Sequence, residues 1–292
     1  MRSSKKLKSP KSTLRVCFGL LCMMMLVGFF GCSDSSPAPQ SPDTAPATPQ
    51  IKITSADTNI SEEGAVGIDL NTVDRVCLIS EPGAYLLSGA LAGSIQIDAE
   101  DQIVHLIMDN VTVDAPAGPA LEVLSAGKVI LTLKDGTTNT FQDSGIYVGE
   151  PDADACIYSP CDLTINGDGS LSVSGYYKDA IHTKDVLKIL NKNSFIQSKR
   201  DGLHGNDGIV VCCQDLTVQS ERNGLYSTKS GKVAKGNIEI YNSGCSIIGG
   251  QYALSCAADL YIADSNVYAM GVYGNLQVLG TSYIAEGSLE NA

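Results

Sequence analysis

From about residue 51 the chain is a succession of short runs in which apolar and polar residues alternate, broken by Gly, Asn and Asp. SIQIDA (94–99), VHLIMDNVTV (104–113), KVILTL (128–133), DLTI (162–165), LSVS (171–174), DVLKIL (185–190), DLTVQS (215–220), NIEIYN (237–242) and DLYIAD (259–264) are the clearest. Alternation with a period of two is the signature of a strand with one face buried. No long amphipathic helical pattern competes with it, and the chain has no Trp. Short strands at even spacing predict an all-β fold, which leaves sandwich, barrel and solenoid open.

Internal repetition separates these. Lys178-Asp179-Ala180-Ile181-His182 is followed 22 residues on by Arg200-Asp201-Gly202-Leu203-His204, and after another 22 by Arg222-Asn223-Gly224-Leu225-Tyr226. The same offset relates Ile189 to Val211 and Ile196 to Val218. Tyr252-Ala253-Leu254-Ser255 is a further copy after an insertion at Ser230–Gly236. Ala155-Cys156-Ile157-Tyr158 and Pro119-Ala120-Leu121-Glu122 are earlier ones. A sandwich has no reason to repeat side chains at a fixed interval. The period predicts a right-handed, single-stranded parallel β-helix of about 22 residues and three short strands per turn. Residues 22 apart then stack at the inter-strand spacing of about 4.8 Å. Ile181/Leu203/Leu225/Leu254 and Ile196/Val218/Ile247 are the expected core columns. Gly202 and Gly224 are expected to take positive φ at a tight corner. Residues 51–90 are expected to form the N-terminal cap and first turn, because open solenoid ends need covering.

Stacking turns scattered polar residues into rows. Lys178/Arg200/Arg222 is a cationic ladder, Asp179/Asp201/Asn223 an oxygen ladder beside it, and His182/His204/Tyr226 a third column. Asp185 and Asp207 are an acidic pair with the same spacing. Two readings stand side by side. Corner residues repeat because corners repeat, and the ladders then pair as salt bridges. Alternatively, Asp179, Asp201, Asn223, Asp185 and Asp207 offer hard oxygen ligands suited to Ca²⁺. In that case Lys178, Arg200, Arg222, His182 and His204 meet the carboxylates of an acidic polysaccharide. Tyr176 and Tyr177 could stack on sugar rings. A further acidic loop, Glu150/Asp152/Asp154, reads as a solvated loop or as a calcium site.

The ends add an address. Six basic residues and no acid precede an apolar run, Val16–Gly31, that suits a signal peptide over residues 1–31. Gly31-Cys32 resembles a lipobox, with Cys32 as the lipidated mature N-terminus; a plain signal anchor with an incidental cysteine is the competing reading. The stretch 33–50 is Pro- and Ser-rich and is expected to be an extended linker to a folded domain at 51–292. This predicts an extracytoplasmic, monomeric domain held to a membrane or cell surface through its lipid alone. After residue 32 the chain carries 14 basic and 32 acidic residues, a net charge of −18, which excludes nucleic acid as a partner. Seven cysteines remain there, an odd number with no C-x-x-C pair. They are expected to be buried thiols acting as small hydrophobes.

LKDGTTNTFQD (133–143), ACIYSPCDLTINGDGSLSVSG (155–175), DAIHTKDVLKI (179–189) and DGLHGNDGIVV (201–211) together resemble the carbohydrate-binding parallel β-helix domains of plant-fibre-degrading anaerobic bacteria, similar in fold to pectate lyases. The resemblance covers roughly 75–280. It implies binding of an acidic, polygalacturonate-like polysaccharide with calcium and without cleavage. The family commonly writes its corner acid-acid-Gly-Ile. Asp179 and Asp201 match the second acid, whereas Lys178, Arg200 and Arg222 stand where a first acid is frequent and Asn223 replaces an acid. Rival readings are a lyase using Arg200 or Arg222 as base, a hydrolase using Asp201 with Asp179 or Asp207 near His204, and a surface or assembly protein with no sugar ligand.

Overall fold

The computed structural model describes residues 50–149 and 152–291. The expected signal peptide, Cys32, most of the expected linker and Glu150 lie outside the described residues. The domain is a right-handed parallel β-helix, as the period predicts. Every strand pairing is parallel, and the strands sort into a nine-stranded and a seventeen-stranded sheet. The nine-stranded sheet collects one strand per turn, including Ala155–Ser159, Asp179–Thr183, Leu203–Gly205, Asn223–Tyr226 and Tyr252–Cys256. At about 4.8 Å per strand it is about 38 Å long.

The register matches the repeat. Ile181 stacks on Leu203, Leu203 on Leu225 and Leu225 on Leu254, and upstream Leu121 meets Ile157 and Ile157 meets Ile181. Ile196 lies beside Val218 and Val218 beside Ile247. All of these side chains are buried. Unequal turns keep the register because extra residues, such as Ser144–Asp154 and Ser227–Gly236, are absorbed where strands change direction.

Two expectations are corrected. Gly202 and Gly224 are not at positive φ. A Cβ at Gly202 would run into Val218 Cγ1 and the Gly224 carbonyl, and one at Gly224 into Ile247 Cγ2 and the Ala253 carbonyl. Glycine is needed there because the corner packs directly on the core column. Residues 50–62, moreover, do not form an end cap but run along the outside of the large sheet as a strap. The backbone N–H groups of Gln50 and Ile51 donate to the Glu239 carboxylate. Asp57, fully buried, sits between Lys128 and Lys188, each 2.8 Å away, and accepts from Thr164. Burial alone would push the Asp57 carboxyl up, but the two ammonium groups hold it well below the carboxylate range. The first turn does lie within 51–90, where Val66–Asp69 pairs with Gly83–Leu91.

All seven cysteines after residue 32 are free thiols, and six are buried. Burial pushes them up, Cys213 to about 12, so they are protonated and act as packing groups.

Candidate functional site

The outer face of the nine-stranded sheet carries a continuous row. Pairing places Leu78 beside Gln96, Gln96 beside Glu122, Glu122 beside Tyr158, Tyr158 beside His182, His182 beside His204, His204 beside Tyr226, Tyr226 beside Ser255 and Ser255 beside Gln277. Neighbours interact along it. Gln96 donates to Glu122 at 3.1 Å and Ser255 to Gln277 at 2.8 Å. The His182 and His204 rings stack with centroids 4.0 Å apart and planes 4° apart. Tyr158 meets His182 edge-on, and Tyr226 is tilted against His204.

Beside this row the cation and oxygen ladders interlock. The Arg200 Nε and Nη2 atoms both lie 2.6 Å from the Asp179 carboxylate, and Nη2 also reaches Asp154. One turn on, Arg222 forks onto Asp201 in the same way, with Nε 2.8 Å from Oδ1. Each arginine thus folds back over the aspartate of the preceding turn. Each aspartate also accepts the backbone N–H of its counterpart on the next turn: Asp201 N to Asp179, Asn223 N to Asp201. The two imidazoles are tied in as well. His182 Nδ1 lies 2.6 Å from Asp154 and His204 Nδ1 2.9 Å from Asp179.

The electrostatics follow from this geometry. Burial would raise Asp179 and Asp154, but Arg200 and His204 hold the first below its ordinary value, and His182 and Arg200 hold the second there. Burial works against the charge on Arg200, yet Asp179 and Asp154 outweigh it and push the guanidinium up. Asp201 likewise raises Arg222. Burial pushes His204 down, more than Asp179 restores.

The oxygen ladder is therefore not an open calcium corner. Asp179 and Asp201 are fully buried and Asn223 nearly so, and the carboxylates are already bound by guanidinium forks, backbone N–H groups and His204. A calcium ion there would have to displace two arginines from buried acids, so these residues do not fit one. Asp207 is closed off by Lys229 and Lys235, the latter from the inserted segment, and they hold its carboxyl down against burial. Asp185 is the more open member of its pair; burial and then the charges of Asp207 and Asp162 push it up. Asp152 lies 3.9 Å from Lys184, and Asp154 belongs to the arginine network.

The predicted ligand contacts divide. Arg200 and Arg222 keep outward N–H groups at 24% and 34% side-chain exposure, while His182 and His204 are largely covered. The Lys178 ammonium lies 4.8 Å from the Tyr177 ring centre, and Tyr177 stacks on Tyr147. Both Tyr176 and Tyr177 donate backbone N–H groups to buried Asp143, which pins this corner, and Tyr176 alone of the two is exposed. Sequence reasoning missed Tyr158, Lys184, Asn206, Lys229 and Lys235. Tyr158 carried a signal as the aligned earlier copy of His182, and Lys184 and Asn206 carried one as matching positions 22 apart in Thr183-Lys184-Asp185 and Gly205-Asn206-Asp207.

Fold and site together define a parallel β-helix with one flat face of stacked, ion-paired side chains. The chain belongs to the family described as carbohydrate-binding domain-containing protein, whose model matches residues 73–282. A carbohydrate-binding domain-containing protein of Acetivibrio thermocellus is 33% identical over 135 residues, 44% of this chain. That match spans about half of the relative, 47% of its length. The polysaccharide lyase-like protein from C. thermocellum, solved as a gadolinium derivative, superposes with a TM-score of 0.72 at 25% identity. The superposition covers 77% of this chain and 98% of that one.

Proposed function

We propose that this protein binds an acidic, polygalacturonate-like polysaccharide along the nine-stranded face without cleaving it, displayed outside the cell on a lipid tether at Cys32. The observation that carries the reading is charge placement. Between residues 178 and 235 there are ten basic and six acidic residues, in a chain whose remainder after residue 32 holds only four basic residues. Those turns bring Arg200 and Arg222 to the corner that leads into the nine-stranded sheet and Lys184, Lys229 and Lys235 to the corner that follows it, all with partly exposed side chains. A polyanion running along the coil meets cations that recur with the turns, while the acidic remainder discourages anionic surfaces elsewhere.

The absence of cleavage rests on the same pairs. A lyase base drawn from Arg200 or Arg222 needs a lowered pKa, and both are pushed up. A hydrolase needs a protonated acid facing substrate, and Asp179 and Asp201 are buried under guanidinium groups.

Incubation with polygalacturonate tests this. Retention of protein by the polymer, with no rise in unsaturated-product absorbance or reducing ends, is the expected result. A rise in absorbance means elimination, reducing ends alone mean hydrolysis, and failure to be retained removes the proposal.

A further inference from the structure

We infer that His182 and His204 form a binding site for a borderline divalent transition-metal ion such as Zn²⁺ or Cu²⁺, with both Nε2 atoms and Asn206 Oδ1 as ligands. The site is independent of the polysaccharide reading and uses none of the acid-ladder oxygens as direct ligands.

Four observations lead there. First, each imidazole has its Nδ1 on a carboxylate: His182 on Asp154, His204 on Asp179. One guanidinium, that of Arg200, touches both carboxylates, so the two Nδ1 atoms point the same way. With the rings 4° from parallel, both Nε2 atoms then face away from the acids, side by side. Second, a carboxylate on Nδ1–H fixes the tautomer that leaves Nε2 as a bare lone pair and raises its basicity, the usual support for a metal-binding histidine. Third, His204 Nε2 is fully buried and has no hydrogen-bond partner among the described residues, in a residue 6% exposed. A buried acceptor without a partner is costly unless something fills the place. Fourth, the group facing His182 Nε2, at 3.4 Å, is Asn206 Oδ1, and that oxygen accepts from the Thr228 hydroxyl at 3.0 Å. Asn206 Oδ1 thus stands against His182 Nε2, with the His204 ring stacked 4.0 Å away on the next turn.

The donor set selects the ion. Two imidazoles and an amide oxygen suit Zn²⁺ or Cu²⁺, whereas Ca²⁺ takes oxygen alone. Two nitrogens on one tetrahedral ion at about 2.1 Å stand roughly 3.4 Å apart. The rings must therefore splay from their parallel stack to share it, and an open position remains for water or a ligand oxygen.

Equilibrium dialysis of the full chain against Zn²⁺, and electron paramagnetic resonance with Cu²⁺, test the site. The chain has three histidines, and the third, His105, is buried with its Nε2 2.7 Å from Thr132. A two-nitrogen signal thus has one available source. The expected result is one tightly bound ion, coupling to two imidazole nitrogens, and at least tenfold weaker binding in His204→Phe. That variant keeps an aromatic ring in the stack. Asn206→Ala, which leaves the imidazoles and their carboxylates alone, should weaken binding while preserving the two-nitrogen signal. Undiminished binding in His182→Phe/His204→Phe, or no stoichiometric binding by a wild-type chain with a cooperative melting transition, overturns the inference.

Discussion

Arg200→Met removes the guanidinium that bridges Asp154 and Asp179 while keeping most of the side-chain volume. Asp179 is then a fully buried carboxylate supported, among the described residues, by His204 and the Asp201 N–H. Removing one partner of a buried pair costs about 3–5 kcal/mol. Because Arg200 is about a quarter exposed, the lower end, about 3 kcal/mol, is expected. For a domain of this size that corresponds to a melting temperature lower by about 6–12 °C. The cost also carries a pH signature. Asp154 and Asp179 are both held below the ordinary carboxylate value. Their pairing with Arg200 thus contributes fully above about pH 4 and is lost as pH falls through the lowered folded values. The difference between wild type and variant should be largest at pH 7 and narrow as pH falls below about 4. Urea unfolding at several pH values reads this directly, urea being uncharged. A double variant, Asp179→Asn/Arg200→Met, should lose less than the two single losses combined. A loss under 1 kcal/mol, or a difference that stays constant from pH 7 to pH 3, would refute the reasoning and make the pair an ordinary surface salt bridge.

Other outcomes follow from the same contacts. Asp57→Asn leaves buried Lys188 without its counter-charge, so a loss of about 3 kcal/mol and new protease cleavage within residues 50–62 are expected; an intact strap under mild proteolysis contradicts this. Gly202→Ala drives a methyl group into Val218 and should cost about 1–3 kcal/mol, part of which Val218→Ala restores, as thermal melts would show. Thiol titration of the native protein should find Cys212 the most reactive of the cysteines after residue 32, because the other six are buried; rapid labelling of those six would mean the core columns are not closed.

The coil was legible wherever its turns are equal. From residue 179 to 223 the spacing of 22 holds in the hydrogen bonds as well as in the sequence, so columns such as Ile181/Leu203/Leu225 are readable from the spacing alone. Which way a corner residue turns was not. Asp179 repeats like an outward residue, yet it is fully buried because Arg200, 21 residues on, folds back over it. A period reports which residues stack but not which neighbour covers them. The strap left no trace for a related reason: its anchors are backbone N–H groups and one aspartate whose partners, Lys128 and Lys188, lie 71 and 131 residues away. Lys229 and Lys235 escaped notice because they flank or sit in an insertion, which by its nature breaks the repeat. The aromatic row was legible as far as His182, His204 and Tyr226, and it became a site only through the contacts of Asp154 and Asn206 against it.

The proposed function requires cations recurring along the nine-stranded face to hold a polyanion. Its most direct test compares affinity for polygalacturonate with affinity for its fully methyl-esterified form, in wild type and in Lys184→Ala/Lys229→Ala/Lys235→Ala. Binding of the acid form only, weakening as salt rises and at least tenfold weaker in the triple variant, is expected. Equal binding of the two polymers, unaffected by salt or by loss of the lysines, would contradict it.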